Sequence, residues 1–221
     1  MRVLLTSFAM KSHYFNLVPL AWALTAAGHE VRVASQPSLA EAIIHSGMTP
    51  VSVGQDHAIA DLRDHIMSRT GKADVQSPRL PQEFEGPLNW EDVLGFETVA
   101  TSLVLALINN DPTIDDLVEF TRSWQPDLVL WEQLFYSGGM AAHVAGVPHA
   151  RVLWSLDVHA NGRQRFLALR DRQPIAHRDD PLTEWLTWTL DRFDTPFVEH
   201  VTTGNWTIGA TMPPSMRLPV D

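Results

Sequence analysis

Two ionisable residues fall where buried apolar runs end. His13 follows the run Arg2–Thr6, and Glu132 closes the run "DLVLWE". A neutral imidazole can take a proton from a hydroxyl group near neutral pH, and a carboxylate on its other ring nitrogen stabilises the charge acquired. His13 is expected at or just before a helix N-terminus, where the helix dipole disfavours imidazolium. The two residues are therefore a candidate general base and its orienting acid.

Simpler interpretations of both residues stay open. His13 could cap a helix or pack against the neighbouring loop, and Glu132 could be an exposed carboxylate at a strand end. Asp127, at the start of the same apolar run, is expected on the opposite edge of the sheet. Spacing alone does not separate these alternatives.

The segment "TSFAMKSHYF" stands where a nucleotide-binding fold carries glycines. Backbone amides must approach phosphate closely there, and a side chain would block them. Neither GxGxxG nor GxxxxGK[ST] occurs in the chain. The chain therefore lacks a phosphate-binding glycine loop at this position, which counts strongly against a dehydrogenase.

Other familiar chemistries find little support. The chain has no cysteine, which excludes disulfides, thiolate metal sites and cysteine nucleophiles. No metal site is predicted, because HExxH is absent and His57, His65, His143 and His149 are poorly spaced for one. The segment "YSGGM" around Ser137 is not the GxSxG of a hydrolase, and its glycines are expected to let a helix pack close to the sheet.

Aromatic and apolar side chains cluster at the predicted strand ends, as a large apolar ligand would require. Trp185 and Trp188 are instead expected in the core. The candidate substrate-binding residues are Phe8, Met10, Ser12, Phe135, Tyr136 and Trp154.

Alternating periods of two and 3.6 residues predict strand and helix units in sequence. Connections of this length imply parallel strands with right-handed crossovers. The fold class is therefore α/β, a Rossmann-like, doubly wound, mainly parallel sheet flanked by helices. The predicted strands are 2–6, 30–35, about 49–54, 127–131, 149–154 and a last short one at 206–208. The predicted helices are about 14–27, 37–46, 89–109, 113–123, one that follows "YSGG" and ends at Gly146, and 180–193.

One domain over residues 1–221 is expected. Residues from about 55 to 112 form an irregular and helical insertion of the kind that carries substrate loops, although a variable surface loop fits as well. Residues from about 210 to 221 resemble the start of a linker. No internal repeat or second core is evident.

Charge and composition limit the partners. The net charge is −10, and basic residues form no patch, so neither nucleic acid nor an anionic membrane is expected as a partner. Lys11 and His13 interrupt the apolar start of the chain, so a cleaved leader is not expected. These features predict a cytoplasmic protein.

Four segments together carry a family resemblance: "MRVLLTSFAMKSHYFNLVPLAWALTAAGHEVRVAS", "RSWQPDLVLWEQ", "AGVPHARVLW" and "DPLTEWLTWTLDRF". They resemble the amino-terminal, acceptor-binding half of GT-B glycosyltransferases that attach deoxysugars to macrolides and related polyketides. The resemblance implies that His13 deprotonates the acceptor hydroxyl for direct, inverting attack on a nucleotide diphosphate deoxysugar. Many members place an aspartate where this chain has Glu132.

The resemblance also implies partners. The donor sugar would bind mainly to a second domain, whose motifs this chain lacks, so the chain is expected to be inactive alone and to need no cofactor. The desosamine-type and mycaminose-type subgroup includes members that require a P450-like activator, for which about 163–200 is the expected contact surface. That segment also reads as a plain sheet-covering helix. A non-catalytic module that binds a hydrophobic ligand or a protein is the alternative function.

Overall fold

The computed structural model describes residues 1–59 and 89–209. Their strands form one six-stranded sheet in the order β3-β2-β1-β4-β5-β6, and every neighbouring pair is parallel. The predicted Rossmann-like α/β fold is confirmed. The strands are β1 (Arg2–Thr6), β2 (Glu30–Ser35), β3 (Thr49–Ser52), β4 (Leu128–Glu132), β5 (His149–Leu153) and β6 (Trp206–Gly209).

Helices cover both faces of this sheet. A 3-10 turn at Pro37–Leu39 leads into α3, and π-helical and α-helical turns extend α4 as far as Ile108. The helices are α1 (Lys11–Tyr14), α2 (Val18–Ala26), α3 (Ala40–His45), α4 (Trp90–Ala100), α5 (Asp111–Trp124), α6 (Tyr136–Ala145), α7 (Val158–Arg170) and α8 (Pro181–Asp191).

The first two helices depart from the single helix predicted over about 14–27. Pro19 occupies the first turn of α2, where its missing N–H group costs nothing and its fixed φ suits the helix. The chain therefore breaks before Val18 and forms the short α1 separately. Gly28 ends α2 with φ +84°, and Gly146 ends α6 with φ +68°, as the sequence predicts.

In the second half, α6 begins at Tyr136, so "YSGG" forms its first turn and does not precede it. A Cβ atom at Gly138 would lie 2.7 Å from the Cβ atom of Trp131, which confirms that this glycine permits close packing against the sheet. The helix α7 was not predicted, because its sequence "VHANGRQRFLALR" is mostly polar. The Asp157 side chain caps α7 by accepting from the Ala160 N–H group.

Strand order decides where a crevice opens. The order reverses between β1 and β4, and Thr6 near the end of β1 pairs with Trp131 near the end of β4. In open parallel sheets, ligands bind beyond the carboxyl ends of the strands at such a reversal. The segments that follow Thr6 and Glu132 therefore face one crevice. Asp127 lies at the other edge, where it accepts from the Arg2 N–H group.

Side chains on the two faces of the sheet pack into two separate apolar clusters. Val3 and Leu5 of β1 pack with α2 and α3, whereas Leu4 packs with α5, α6 and α8 on the opposite face. Trp185 contacts the second of these clusters, but Trp188 is 68% exposed, so its predicted place in the core is wrong. It lies on the outer side of α8, away from the buried positions Leu182, Leu186 and Leu190.

The predicted insertion is only partly described. Residues 89–109 are helical as expected, while 60–88 and the predicted linker at 210–221 lie outside the described residues. Among residues 1–59 and 89–209, no helix has both the length and the apolar character needed to cross a bilayer.

Candidate functional site

The rim between β1 and β4 carries a histidine and a carboxylate in contact. His13 Nδ1 lies 3.0 Å from Glu132 Oε1; the Glu132 side chain is fully buried, and that of His13 is 14% exposed. Glu132 is the last residue of β4. The structure therefore brings the two predicted residues together, and Glu132 is not an exposed strand-end carboxylate.

The position of His13 on its helix differs from the prediction. It is the third residue of the four-residue α1 and does not lie at or before the helix N-terminus. The helix-dipole argument therefore does not apply. With Glu132 ionised, the hydrogen bond places the proton on Nδ1 and leaves a lone pair on Nε2.

Three hydrogen bonds hold the Glu132 carboxylate. Oε1 accepts from His13 and from the Trp154 Nε1–H group at 2.8 Å, and Oε2 accepts from the Leu134 backbone N–H group at 3.0 Å. A buried carboxylate is costly unless donors compensate for the lost water. These donors provide that compensation and fix the carboxylate on the imidazole.

Aromatic rings enclose the imidazole. The Phe8 ring centroid lies 4.3 Å from that of His13, and the Trp154 ring stands edge-on to it at 4.9 Å. Within the part of the chain that the structure describes, no protein group bonds to Nε2. The arrangement leaves Nε2 open to accept a proton, as a general base requires.

An apolar cavity of about 270 Å³ is connected to this pair through one residue, Leu134. It lies between α4 and α7, which pack through Trp90 and Phe166, with ring centroids 5.3 Å apart. Leu134 lines it and donates its N–H group to Glu132, whereas neither His13 nor Glu132 is among the lining residues. The cavity is lined by Val93, Phe96, Glu97, Ala100, Thr101, Val104, Leu105, Leu134, Tyr136, Val158, His159, Gly162, Arg163, Phe166 and Leu182.

Charged groups occupy one side of this cavity. Arg163 forms a bidentate pair with Asp180 at 2.6 and 2.9 Å and also donates to Glu199 at 2.9 Å. Burial raises the pKa of Glu97 to about 7, although the positive charge of Arg163 opposes this. The pKa of His159 is lowered, mainly by burial and then by the charge of Arg151, so this histidine is neutral near pH 7.

The candidate substrate-binding residues occupy different places. Phe8 and Phe135 are buried in the core, Phe8 against His13. Met10 packs partly buried on the same cluster, and Ser12 is exposed on α1. Their contact with substrate stays a prediction.

Two further candidates have clearer surroundings. Tyr136 lines the cavity, and burial raises the pKa of its hydroxyl to about 12. Trp154 lies at the pair and donates to Glu132, which is a positioning contact that the sequence did not indicate.

A second group of histidines lies away from the crevice. The rings of His143 and His149 both neighbour that of His200, at 5.4 and 5.9 Å. Burial, with smaller contributions from the other two rings, lowers the pKa of His149 to about 4. Over residues 1–59 and 89–209, no three histidines or carboxylates are arranged to hold a metal ion.

Comparison with known proteins identifies the family. The model of the N-terminal domain of erythromycin biosynthesis protein CIII-like proteins matches residues 22–221. The chain belongs to this family. Its six-stranded parallel sheet has the Rossmann-like fold seen in GT-B glycosyltransferases.

Its relatives in the erythromycin CIII-like family transfer deoxysugars. The chain is 54% identical over 220 residues to the 10-deoxymethynolide desosaminyltransferase of Streptomyces venezuelae, covering 99% of this chain and 51% of that protein. It is 47% identical to the 3-alpha-mycarosylerythronolide B desosaminyl transferase of Saccharopolyspora erythraea, covering 99% and 52%. The chain thus spans about half the length of these relatives.

A solved structure agrees with the fold. The glycosyltransferase VinC in complex with dTDP superposes with a TM-score of 0.83 at 36% identity, covering 100% of this chain and 51% of that one. The forosaminyltransferase SpnP superposes with a TM-score of 0.73 at 37% identity, covering 100% and 48%.

Most of the polar groups that line the cavity were not identified from the sequence. Arg163 and His159 lie on α7, which was not predicted. Glu97 carried a usable signal, because it stands at helical spacing within the apolar positions Val93, Ala100 and Val104. A single acid in an apolar helical stripe indicates a carboxyl group directed away from water.

Proposed function

We propose that this chain is the acceptor-binding half of an inverting glycosyltransferase, one that moves a deoxysugar from a nucleotide diphosphate sugar to a hydroxyl of a macrolide or related polyketide. The observation that carries the proposal is the hydrogen-bonded pair of His13 and Glu132 at the strand-order reversal, beside an apolar cavity. Family membership and the deoxysugar transferases among its relatives support the same reaction class.

In the proposed step, His13 Nε2 takes the proton of the acceptor hydroxyl as its oxygen attacks the anomeric carbon of the sugar. The bond between that carbon and the diphosphate breaks, and the nucleotide diphosphate leaves with the electron pair. A single displacement inverts the anomeric configuration. Glu132 stabilises the imidazolium that forms, and it does not itself take the proton.

The cavity supplies a place for the acceptor. Its walls are mainly apolar, and its volume of about 270 Å³ suits a substantial part of a polyketide ring. Because Leu134 belongs both to the cavity wall and to the Glu132 contacts, we expect an acceptor held there to bring a hydroxyl group to the imidazole. Holding the hydroxyl beside the base contributes to the rate independently of proton transfer.

The donor sugar is assigned to the second half. The chain spans about half of its relatives' length, and one solved neighbour is described in complex with dTDP. The chain alone is expected to transfer no sugar. A P450-like activator contacting 163–200 stays a prediction; within that segment Arg163 is buried, whereas Trp188 is exposed.

The decisive experiment joins this chain to the carboxyl-terminal half of the Streptomyces venezuelae relative; we call this protein the fused enzyme. With 10-deoxymethynolide and a nucleotide diphosphate deoxysugar, His13→Ala should lower kcat about 100-fold to 10,000-fold, because a general base is lost. The acceptor Kd should change little. The control is His45→Ala, an exposed histidine on α3, which should keep normal turnover.

The outcome separates two functions. Near-normal turnover in His13→Ala would contradict the role of this residue. Tight binding of an acceptor with no transfer in the fused enzyme would instead support a non-catalytic module, the alternative that the cavity by itself also permits.

A further inference from the structure

The cavity wall holds one carboxyl group that lacks a hydrogen-bond partner among the described residues. The Glu97 side chain is 15% exposed, and its Oε1 atom lies 3.8 Å from Nη1 of Arg163, which is beyond hydrogen-bond distance. Val93 and Ala100 flank it on the same apolar face of α4. Over residues 1–59 and 89–209, the carboxyl group therefore borders the cavity with this long ion pair and no hydrogen bond.

The neighbouring arginine is already engaged. Arg163 donates to Asp180 through two nitrogens and to Glu199 through two, at 2.6 to 3.2 Å. Arg170 adds a second contact to Asp180 at 2.6 Å. Arg170 also pairs with Asp171 at 2.9 Å, so these two guanidinium groups contact three carboxylates before Glu97 is counted. An ionised Glu97 would be an excess negative charge beside apolar walls.

The electrostatic surroundings favour the neutral acid. Burial raises the pKa of Glu97 to about 7, and the charges of Asp180 and Glu199 act in the same direction, against Arg163. The other titratable groups described around this cavity are Tyr136 and His159. Burial raises the pKa of Tyr136 to about 12 and lowers that of His159, which favours the neutral form of both groups.

We propose that Glu97 is a specificity-determining residue that, as a neutral carboxylic acid, donates a hydrogen bond to a carbonyl oxygen of the polyketide acceptor in the cavity. The inference rests on the proposed function. The protonated acid supplies one donor in an apolar space, whereas the ionised form has none and repels a carbonyl oxygen. An acceptor without that oxygen would leave the buried acid unpaired, which is how polar groups in apolar sites discriminate among ligands.

Acceptor binding is expected to weaken as the pH rises. The binding-competent form is present below pH 7 and is lost as pH rises through the raised pKa. With a pKa of about 7, the protonated fraction falls about tenfold between pH 6 and pH 8, and the apparent Kd rises by the same factor.

Calorimetry on the fused enzyme at pH 6 and pH 8 tests this. The probes are 10-deoxymethynolide, tylactone and aklavinone, which appear in the names of relatives at 54%, 46% and 43% identity. Each probe that binds is expected to bind about tenfold more weakly at pH 8. Glu97→Gln keeps an N–H donor but cannot titrate, so its Kd should be equal at the two pH values.

Two further variants complete the test. Glu97→Leu should bind weakly at both pH values, and Glu91→Gln, an exposed acid on the same helix, should keep the tenfold difference. A pH-independent Kd in the unmodified protein, or a tenfold difference that survives in Glu97→Gln, would overturn the role of Glu97 while leaving that of His13 intact. Failure of all three probes to bind at pH 6 would overturn the proposed function as well.

Discussion

Glu132 and Glu97 are enclosed carboxyl groups with different hydrogen-bond surroundings. Glu132 is fully buried and accepts from His13, from Trp154 and from a backbone N–H group. Glu97 is less buried but has only a 3.8 Å contact with an arginine that is engaged elsewhere. The supply of hydrogen-bond donors, and not the degree of burial alone, distinguishes the two sites.

The two carboxyl groups are therefore suited to different roles. A carboxylate held by donors can orient an imidazole and stabilise its positive charge, as the proposed reaction needs. A carboxyl group without donors favours its proton and can recognise a ligand oxygen. Variants of the pair, of its supporting tryptophan and of the cavity wall test these roles.

Among three variants that test this contrast, the largest effect is expected from Glu132→Gln. Both carboxylate oxygens receive N–H donors, so an amide nitrogen at either position faces another donor. An amide nitrogen at the imidazole would also favour the tautomer with the proton on Nε2, which cannot accept one from substrate. We expect kcat of the fused enzyme to fall about 100-fold.

The control for this variant is Glu119→Gln, an exposed acid on α5 that should leave kcat unchanged. The pH profile of kcat/KM separates the orienting role from a loss of folding, because the acid limb should move only when the base is affected. A profile and kcat equal to those of the unmodified enzyme would remove Glu132 from the proposed mechanism.

A smaller effect is expected from Trp154→Phe. The substitution keeps an aromatic ring beside His13 but removes the donor to Glu132 Oε1. A hydrogen bond to a charged group contributes about 1.5–3 kcal/mol, so the free energy of unfolding in urea should fall by about that amount. Trp188→Phe, on the exposed side of α8, is the matched control and should change it by less than about 0.5 kcal/mol. Equal losses in the two variants would argue against the positioning contact.

The smallest effect is expected from Gly162→Ala. A Cβ atom at Gly162 would meet no atom within 4 Å, and this glycine lines the cavity inside α7. Alanine should stabilise the helix by about 0.5–1 kcal/mol while taking a methyl group's volume from the cavity, which raises the acceptor Kd slightly.

Gly95→Ala on the exposed side of α4 has the same freedom and is the control. It should give the same gain in thermal stability with no change in Kd. An equal Kd for Gly162→Ala and Gly95→Ala would place the acceptor elsewhere.

Much of the fold was accessible from sequence because its signals are local. A buried apolar run predicted β1, and the segment "EVRVAS" after Gly28 predicted β2, both at their observed bounds. The helix α7 was not predicted from the sequence, because few of its positions are apolar. Its contacts with α4 depend on tertiary packing. The break between α1 and α2 was not predicted, because the apolar periodicity runs on through the point where Pro19 starts a new helix.

The sequence by itself determined which residues could do chemistry. His13 and Glu132 stand where apolar strands end, and strand ends of a parallel sheet share one edge. Only the tertiary structure decided that β1 and β4 are neighbours, that Trp154 supports the carboxylate, and that Glu97 faces a cavity with its arginine engaged elsewhere. The reason is physical: residue type and periodicity are local, whereas strand pairing and the supply of hydrogen-bond donors depend on segments distant in the chain.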